Sequence, residues 1–136
     1  MPAPPPFDTA QLHALVPFAA TLGLRVVAAA PGEVRVELDH RPELCTAGGV
    51  LHGGTLMALA DTTGAVCAFL NLPQGATTTT VESKTNLLAA VRGGVITATA
   101  TPLHVGSTLI VVETTVHRDD GRLAAKTTQT QAVLRG

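Results

Sequence analysis

The stretch that decides the fold is His52-Gly53-Gly54-Thr55-Leu56-Met57-Ala58-Leu59-Ala60-Asp61-Thr62-Thr63-Gly64-Ala65-Val66-Cys67-Ala68-Phe69-Leu70. Taken as a helix over roughly residues 53–70, it is apolar or small on every side, which is the pattern of a helix buried inside a protein. One carboxylate, Asp61, interrupts it. The positions one turn away, Met57, Ala58, Gly64 and Ala65, offer no Lys or Arg. An unpaired charge in an interior is costly and is kept chiefly where chemistry uses it. The His-Gly-Gly run at the helix start is a second candidate feature, because free N–H groups and the positive dipole end favour a developing negative charge.

The flanks supply a sheet. Upstream, Asp8 or Thr9 can cap a short helix with apolar positions at Leu12, Leu15 and Val16, and Pro17 ends or kinks it. Leu24 to Ala30 and the strictly alternating Glu33-Val34-Arg35-Val36-Glu37-Leu38-Asp39 form a hairpin about Pro31-Gly32. His40 to Leu51 is a loop. Downstream, Asn71 to Gly75 stop the central helix. Four strands then follow: 76–88, 95–105, 108–118 and 122–134, the last two joined by the Asp-Gly turn at Asp119-Asp120-Gly121. The expected order is a short helix, two strands, the long helix and a four-strand meander. An apolar helix needs a sheet curled around it to be buried, so the fold class is α+β. Residues 1–17 form a proline-rich tail and short helix; 18–136 form a single domain.

Composition narrows the function. The 136 residues carry a net charge of −1, with no Trp or Tyr and only three Phe, so there is neither the charge nor the stacking surface for nucleic acid. Charged residues are only 14% of the chain against a usual figure of about 25%, which suggests that part of the surface is covered by another subunit. The N-terminus has no basic-then-apolar leader, and Asp61 and its threonines break the longest apolar run, so neither a secretion signal nor a membrane span is expected. Cys45 and Cys67 read as reduced thiols of a cytoplasmic protein. No two His stand four apart and the two Cys are isolated, so no metal site is expected. There is no Gly-x-Ser-x-Gly elbow, P-loop or dinucleotide fingerprint.

The chain resembles the hotdog-fold acyl-CoA thioesterases of the phenylacetate-degradation type, relatives of the 4-hydroxybenzoyl-CoA thioesterase with its acid on the central helix. The resemblance rests on Gly48-Gly49-Val50-Leu51-His52-Gly53-Gly54 with the spacing to Asp61. It is supported by residues 80–88, 104–121 and the final Lys126 to Leu134 strand. It implies a curled antiparallel sheet around a long helix and hydrolysis of acyl-CoA thioesters. It also implies homodimers, paired into homotetramers, with active sites between subunits. Coenzyme A is part of the substrate, and no other cofactor is implied.

Asp61 stands at the position of the general base or nucleophile, and Gly53 at the residue whose N–H polarises the thioester carbonyl. His52 would orient the helix start or a water, and Gly54 would line the substrate. Thr80 falls where some members place a Ser that holds the attacking water. The family pattern differs at Thr46, where many relatives have Asn, and at Ser107, where many have Arg. Both remain candidate substrate contacts, with Lys84 and Arg92 as alternative cations for the CoA phosphates.

The spacing adds an independent argument. Asp61 lies eight residues past Gly53, about 12 Å along a helix at 1.5 Å per residue. Reacting atoms must come within about 3–3.5 Å. If both groups serve one thioester, they come from two chains. Each group also has a purely architectural use: Asp61 as a core or interface hydrogen-bond partner, His52 as a cap, the glycines as a turn, Thr77 to Thr80 as strand formers. Two other functions compete, a hotdog dehydratase or hydratase of acyl-thioesters and a non-catalytic acyl-CoA-binding dimer. Asp61 weighs against the latter.

Overall fold

A computed structural model describes residues 7–136, so the expected extended segment 1–6 lies outside the described residues. Helix α1 (Thr9–Leu15) is followed directly by α2 (Pro17–Leu22). Asp8 caps α1 in a reciprocal box with Gln11. Pro17 ends α1 and opens α2 at a position where a missing N–H is tolerated. Strands β1 (Arg25–Ala30) and β2 (Glu33–Asp39) form the first hairpin. Helix α3 (Gly53–Leu70) follows, then β3 (Ala76–Leu87), β4 (Val95–Val105), β5 (Leu109–His117) and β6 (Leu123–Arg135). Alternation and turn residues place the ends of every strand to within one residue.

The six strands form one antiparallel sheet in the order β1-β2-β4-β5-β6-β3. This corrects the expected four-strand meander. Strands β4, β5 and β6 do run as a meander, but β3 pairs with β6 at the far edge and β4 pairs with β2. The physical reason is burial. Strand β4 carries Ile96, Ala98 and Ala100, all fully buried, and needs neighbours on both sides. Strand β3 is exposed along most of its length, which suits an edge. Segment 88–94 therefore crosses from one side of the sheet to the other. It is tied down by Leu88 and Ala89 N–H to Ala124 O and by Leu51 N–H to Val91 O.

The sheet curls around α3, which packs against all six strands. Val34, Val36 and Leu38 of β2, Ile110, Val112 and Val116 of β5 and the β4 residues above meet Leu56, Leu59, Ala60, Val66 and Cys67 of α3. Phe7 and Leu12 join this same core, and Thr9 Oγ1 accepts the Val26 N–H, so α1 packs with the rest of the domain. By length and apolar content α3 alone would also suit a membrane span, yet here it is the core helix of the sheet.

The helix is not buried all round, as its composition suggested. A stripe of Met57, Ala58, Asp61, Thr62, Ala65 and Phe69 stays exposed or half-buried in the single chain, and Asp61 lies in its middle.

Candidate active site: two half-sites on one helix

The start of α3 is built by His52, whose extended backbone lets its side chain turn back over the helix. His52 Nδ1 accepts the Gly54 N–H at 2.8 Å. An accepting Nδ1 leaves the proton of the neutral ring on Nε2. The N–H groups of Thr55 and Leu56 go to His52 O at 2.9 and 3.3 Å. Among the described residues the Gly53 N–H has no acceptor, which makes it the open donor of the helix start. The Gly54 N–H is occupied by His52.

Gly53 opens onto a cleft of about 340 Å³ lined by Thr46, Leu56 and residues 87–91. The wall at 87–91 is the crossover from β3, so the connection that replaces the meander also builds this cleft. Leu87 Cδ1 would lie 2.6 Å from a Cβ at residue 53, and only glycine leaves the leucine where it is. Thr46 lines the same cleft, in a loop closed by its N–H to Val50 O and by the Cys45–Leu51 bridge. A smaller cleft of about 240 Å³ shares Ala90 and Val91 with it and carries Arg92 and Arg118. Arg118 is committed to Asp120. Its carboxylate partner is held below the usual range by that guanidinium.

Asp61 belongs to a different cleft, of about 420 Å³, between α1, α3 and the start of β3. Its walls are mainly apolar, with Leu12, Leu15 and Val16 on one side and Ala65, Val66 and Phe69 on the other. Phe7 and Phe69 meet edge to face, with centroids 5.8 Å apart. Asp61 Oδ1 is 3.2 Å from Gln129 Nε2 and 3.3 Å from Thr80 Oγ1. The structure thus brings Thr80 to Asp61 and adds Gln129, which the sequence reading missed. A signal existed: from Lys126 to Gln131 both faces of the strand are polar, so a polar side chain must face the helix.

A β-bulge at Val81 sits beside this group. Thr80 pairs with Gln131 and Glu82 with Thr130, so Thr80 faces inward while Glu82 and Lys84 turn to the outer face. Lys84 is hydrogen-bonded to Asn86, away from either cleft. Ser107 lines none of the three clefts; its carbonyl accepts from Arg135. Both cysteines are free thiols, Cys45 half-buried beside His40 and Cys67 in the core. Among the described residues no group of three or more His, Cys, Asp or Glu is placed to hold a metal.

A curled antiparallel sheet around a single apolar helix is the hotdog architecture. The model of the Thioesterase superfamily matches residues 48–125, which span α3 and the strands up to the start of β6. A Mycobacterium tuberculosis protein named "putative esterase" is 32% identical over 90% of both chains. The crystal structure of a Haemophilus influenzae thioesterase superposes with a TM-score of 0.88 at 27% identity, covering 95% of this chain and 92% of the other. A 1,4-dihydroxy-2-naphthoyl-CoA hydrolase of Listeria monocytogenes is 29% identical over 68% of this chain and 76% of its own. The chain belongs to the Thioesterase superfamily and is a thioester hydrolase.

Proposed function

We propose that the protein hydrolyses acyl-CoA thioesters in sites shared between two chains. In each site Gly53 of one chain polarises the carbonyl and Asp61 of the partner subunit delivers the attack. The observation that carries this reading is the separation of the half-sites. The open donor and the carboxylate lie in different clefts, eight residues apart on one rigid helix. The open stripe of α3 and the long bare edge of β3, where Val81 is 63% exposed, are surfaces that a second chain would cover. Pairing of such dimers into a tetramer is the assembly proposed with it.

The thioester carbonyl oxygen accepts from the Gly53 N–H at the positive end of α3, where the growing oxyanion is stabilised without reorganisation. Asp61 of the partner subunit takes a proton from water as the water oxygen bonds to the carbonyl carbon. The C–S bond then breaks, the electron pair leaves on sulfur, and the proton returns from Asp61 to the thiolate. Thr80 holds the water. CoA enters as leaving group, and no cofactor is needed. Its nucleotide would run along segment 87–92 toward Arg92. The acyl group would occupy the apolar cleft between α1 and α3, which has room for an aromatic or medium-chain group. The aromatic acyl-CoA named for the Listeria relative supports that range. Two free thiols and a CoA substrate suit the cytoplasm.

The test is thiol release over a panel of aryl and aliphatic acyl-CoAs. Wild type should turn over at least one class, and Asp61→Asn should lose about 10²–10⁴-fold in kcat. Absence of any hydrolysis above background would overturn the activity. Full activity of Asp61→Asn would overturn the mechanism.

A further inference from the structure

The side chains around Asp61 form a hydrogen-bond chain whose direction is set by the main chain. Thr78 Oγ1 donates to Ala132 O at 2.9 Å, and a carbonyl can only accept. Thr78 must therefore accept from Gln131 Nε2, at 3.2 Å. Gln131 Oε1 then faces the other way, where it accepts from Thr80 Oγ1 at 2.6 Å and from Gln129 Nε2 at 3.1 Å. The second proton of Gln129 Nε2 faces Asp61, where Oδ1 at 3.2 Å is nearer than the main-chain O at 3.4 Å. A flipped Gln129 amide would set its oxygen against both Asp61 Oδ1 and Gln131 Oε1. Thr80 has one proton, and its shorter contact is with Gln131, so Gln129 is the committed donor to the carboxylate.

Two further facts show what this arrangement displaces. Gln129 is 1% exposed and its Oε1 has no hydrogen-bond partner. That oxygen lies against Gly64, where any Cβ would collide with it. A helix that gives up its side chain at residue 64 and a strand that orphans a buried carbonyl are both unfavourable for stability alone. Together they let the amide reach Asp61.

We infer that Gln129 is the positioning residue of the carboxylate. It holds Oδ1 through Nε2, in the space cleared by Gly64, so that Oδ2 is the oxygen presented to the substrate. Among the described residues Oδ2 has no hydrogen-bond donor. No other charge shares the task. Asp61 is the only charged residue of α3. His13 of α1 is bonded to Leu24 O, and Asp8 caps α1. Arg25 with Glu37 and Asp39, Arg35 with Glu33, and Lys126 with Glu113 pair with one another on the outer face of the sheet. Glu82, Lys84, His104 and His117 stand at outer-face register positions, and Arg135 is bonded to Ser107 O.

The inference rests on Asp61 as the reacting carboxylate, and its test separates the two. Gln129→Leu should lower kcat by about tenfold to a hundredfold with KM little changed, as the reacting oxygen loses its fixed orientation. Gly64→Ala, which keeps the glutamine but displaces it, should do the same. The 13C signal of the Asp61 carboxyl carbon, read at one neutral pH, should shift in both variants as the hydrogen bond to Oδ1 is lost, a readout that needs no turnover. If either folded variant keeps the wild-type carboxyl signal, the inference is overturned even where activity falls. If Asp61→Asn is fully active, the proposed mechanism fails instead. Should Gln129→Leu not fold, Gly64→Ala decides alone.

Discussion

The imidazole of His52 holds the N–H of Gly54 at 2.8 Å and so leaves Gly53 as the open donor at the start of α3. The histidine is thus the cap of the helix that carries both proposed half-sites. His52→Ala removes that cap and should cost about 1 kcal/mol in stability. His52→Asn, which can still accept from the helix start, should keep most of it. Urea denaturation of the two variants checks the difference. If the cap is what positions Gly53, kcat/KM should fall in the alanine variant and be largely kept in the asparagine variant.

The proposed shared sites make a specific prediction for mixed chains. Gly53→Pro removes the donor and displaces the Leu87 side chain, but it leaves a residue suited to the first helical position, and the extended backbone of His52 tolerates a following proline. Gly53→Pro and Asp61→Asn should each be inactive alone. Unfolded and refolded together in equal amounts, they should regain about a quarter of wild-type activity, since half the dimers carry one intact site of two. No regain would show that each chain supplies its own site.

The apolar cleft beside Asp61 is bounded by the edge-to-face pair of Phe7 and Phe69. Phe69→Ala opens it. Stability should drop by about 1 kcal/mol from the lost aromatic contact. Among acyl-CoAs, kcat/KM should rise for bulky acyl groups relative to small ones. Unchanged ranking across the panel would place the acyl group elsewhere.

Burial pushes the Cys67 thiol up to about 11 from its ordinary 9. The unfolded chain releases this proton at a lower pH than the folded one. The contribution of Cys67 to stability is therefore complete below pH 9 and is lost as the pH rises through about 11. Cys67→Ala should show a smaller fall in stability over that window, measured by urea denaturation at several pH values. In the native protein an alkylating reagent should label Cys45, which is half-buried, ahead of Cys67.

Much of this was legible in the chain because local rules govern it. The strand β2 alternates without exception, the Asp-Gly turn announces the last hairpin, and Asp8 with Gln11 spells out a cap. The candidate carboxylate and the helix start stood out because a lone charge and a His-Gly-Gly run break an otherwise apolar segment. Gln129 and Gly64 did not stand out, because their meaning lies in a contact across 65 positions of sequence. Ser107 was placed by resemblance at a turn, and in the single chain it lines none of the three clefts.

Sequence alone determined that one apolar helix carries an acid eight residues from an anion-friendly start. From the rise of a helix, it also determined that one chain cannot bring the two together. Only the tertiary structure decided where β3 goes. Its backbone pairs non-locally with β6, and periodicity says which residues share a face but not which strand lies beside which. That choice sends segment 88–94 past Gly53 to wall the first cleft. It also brings Thr78 and Thr80 against Gln131, so that the chain of hydrogen bonds from Ala132 O ends at Asp61.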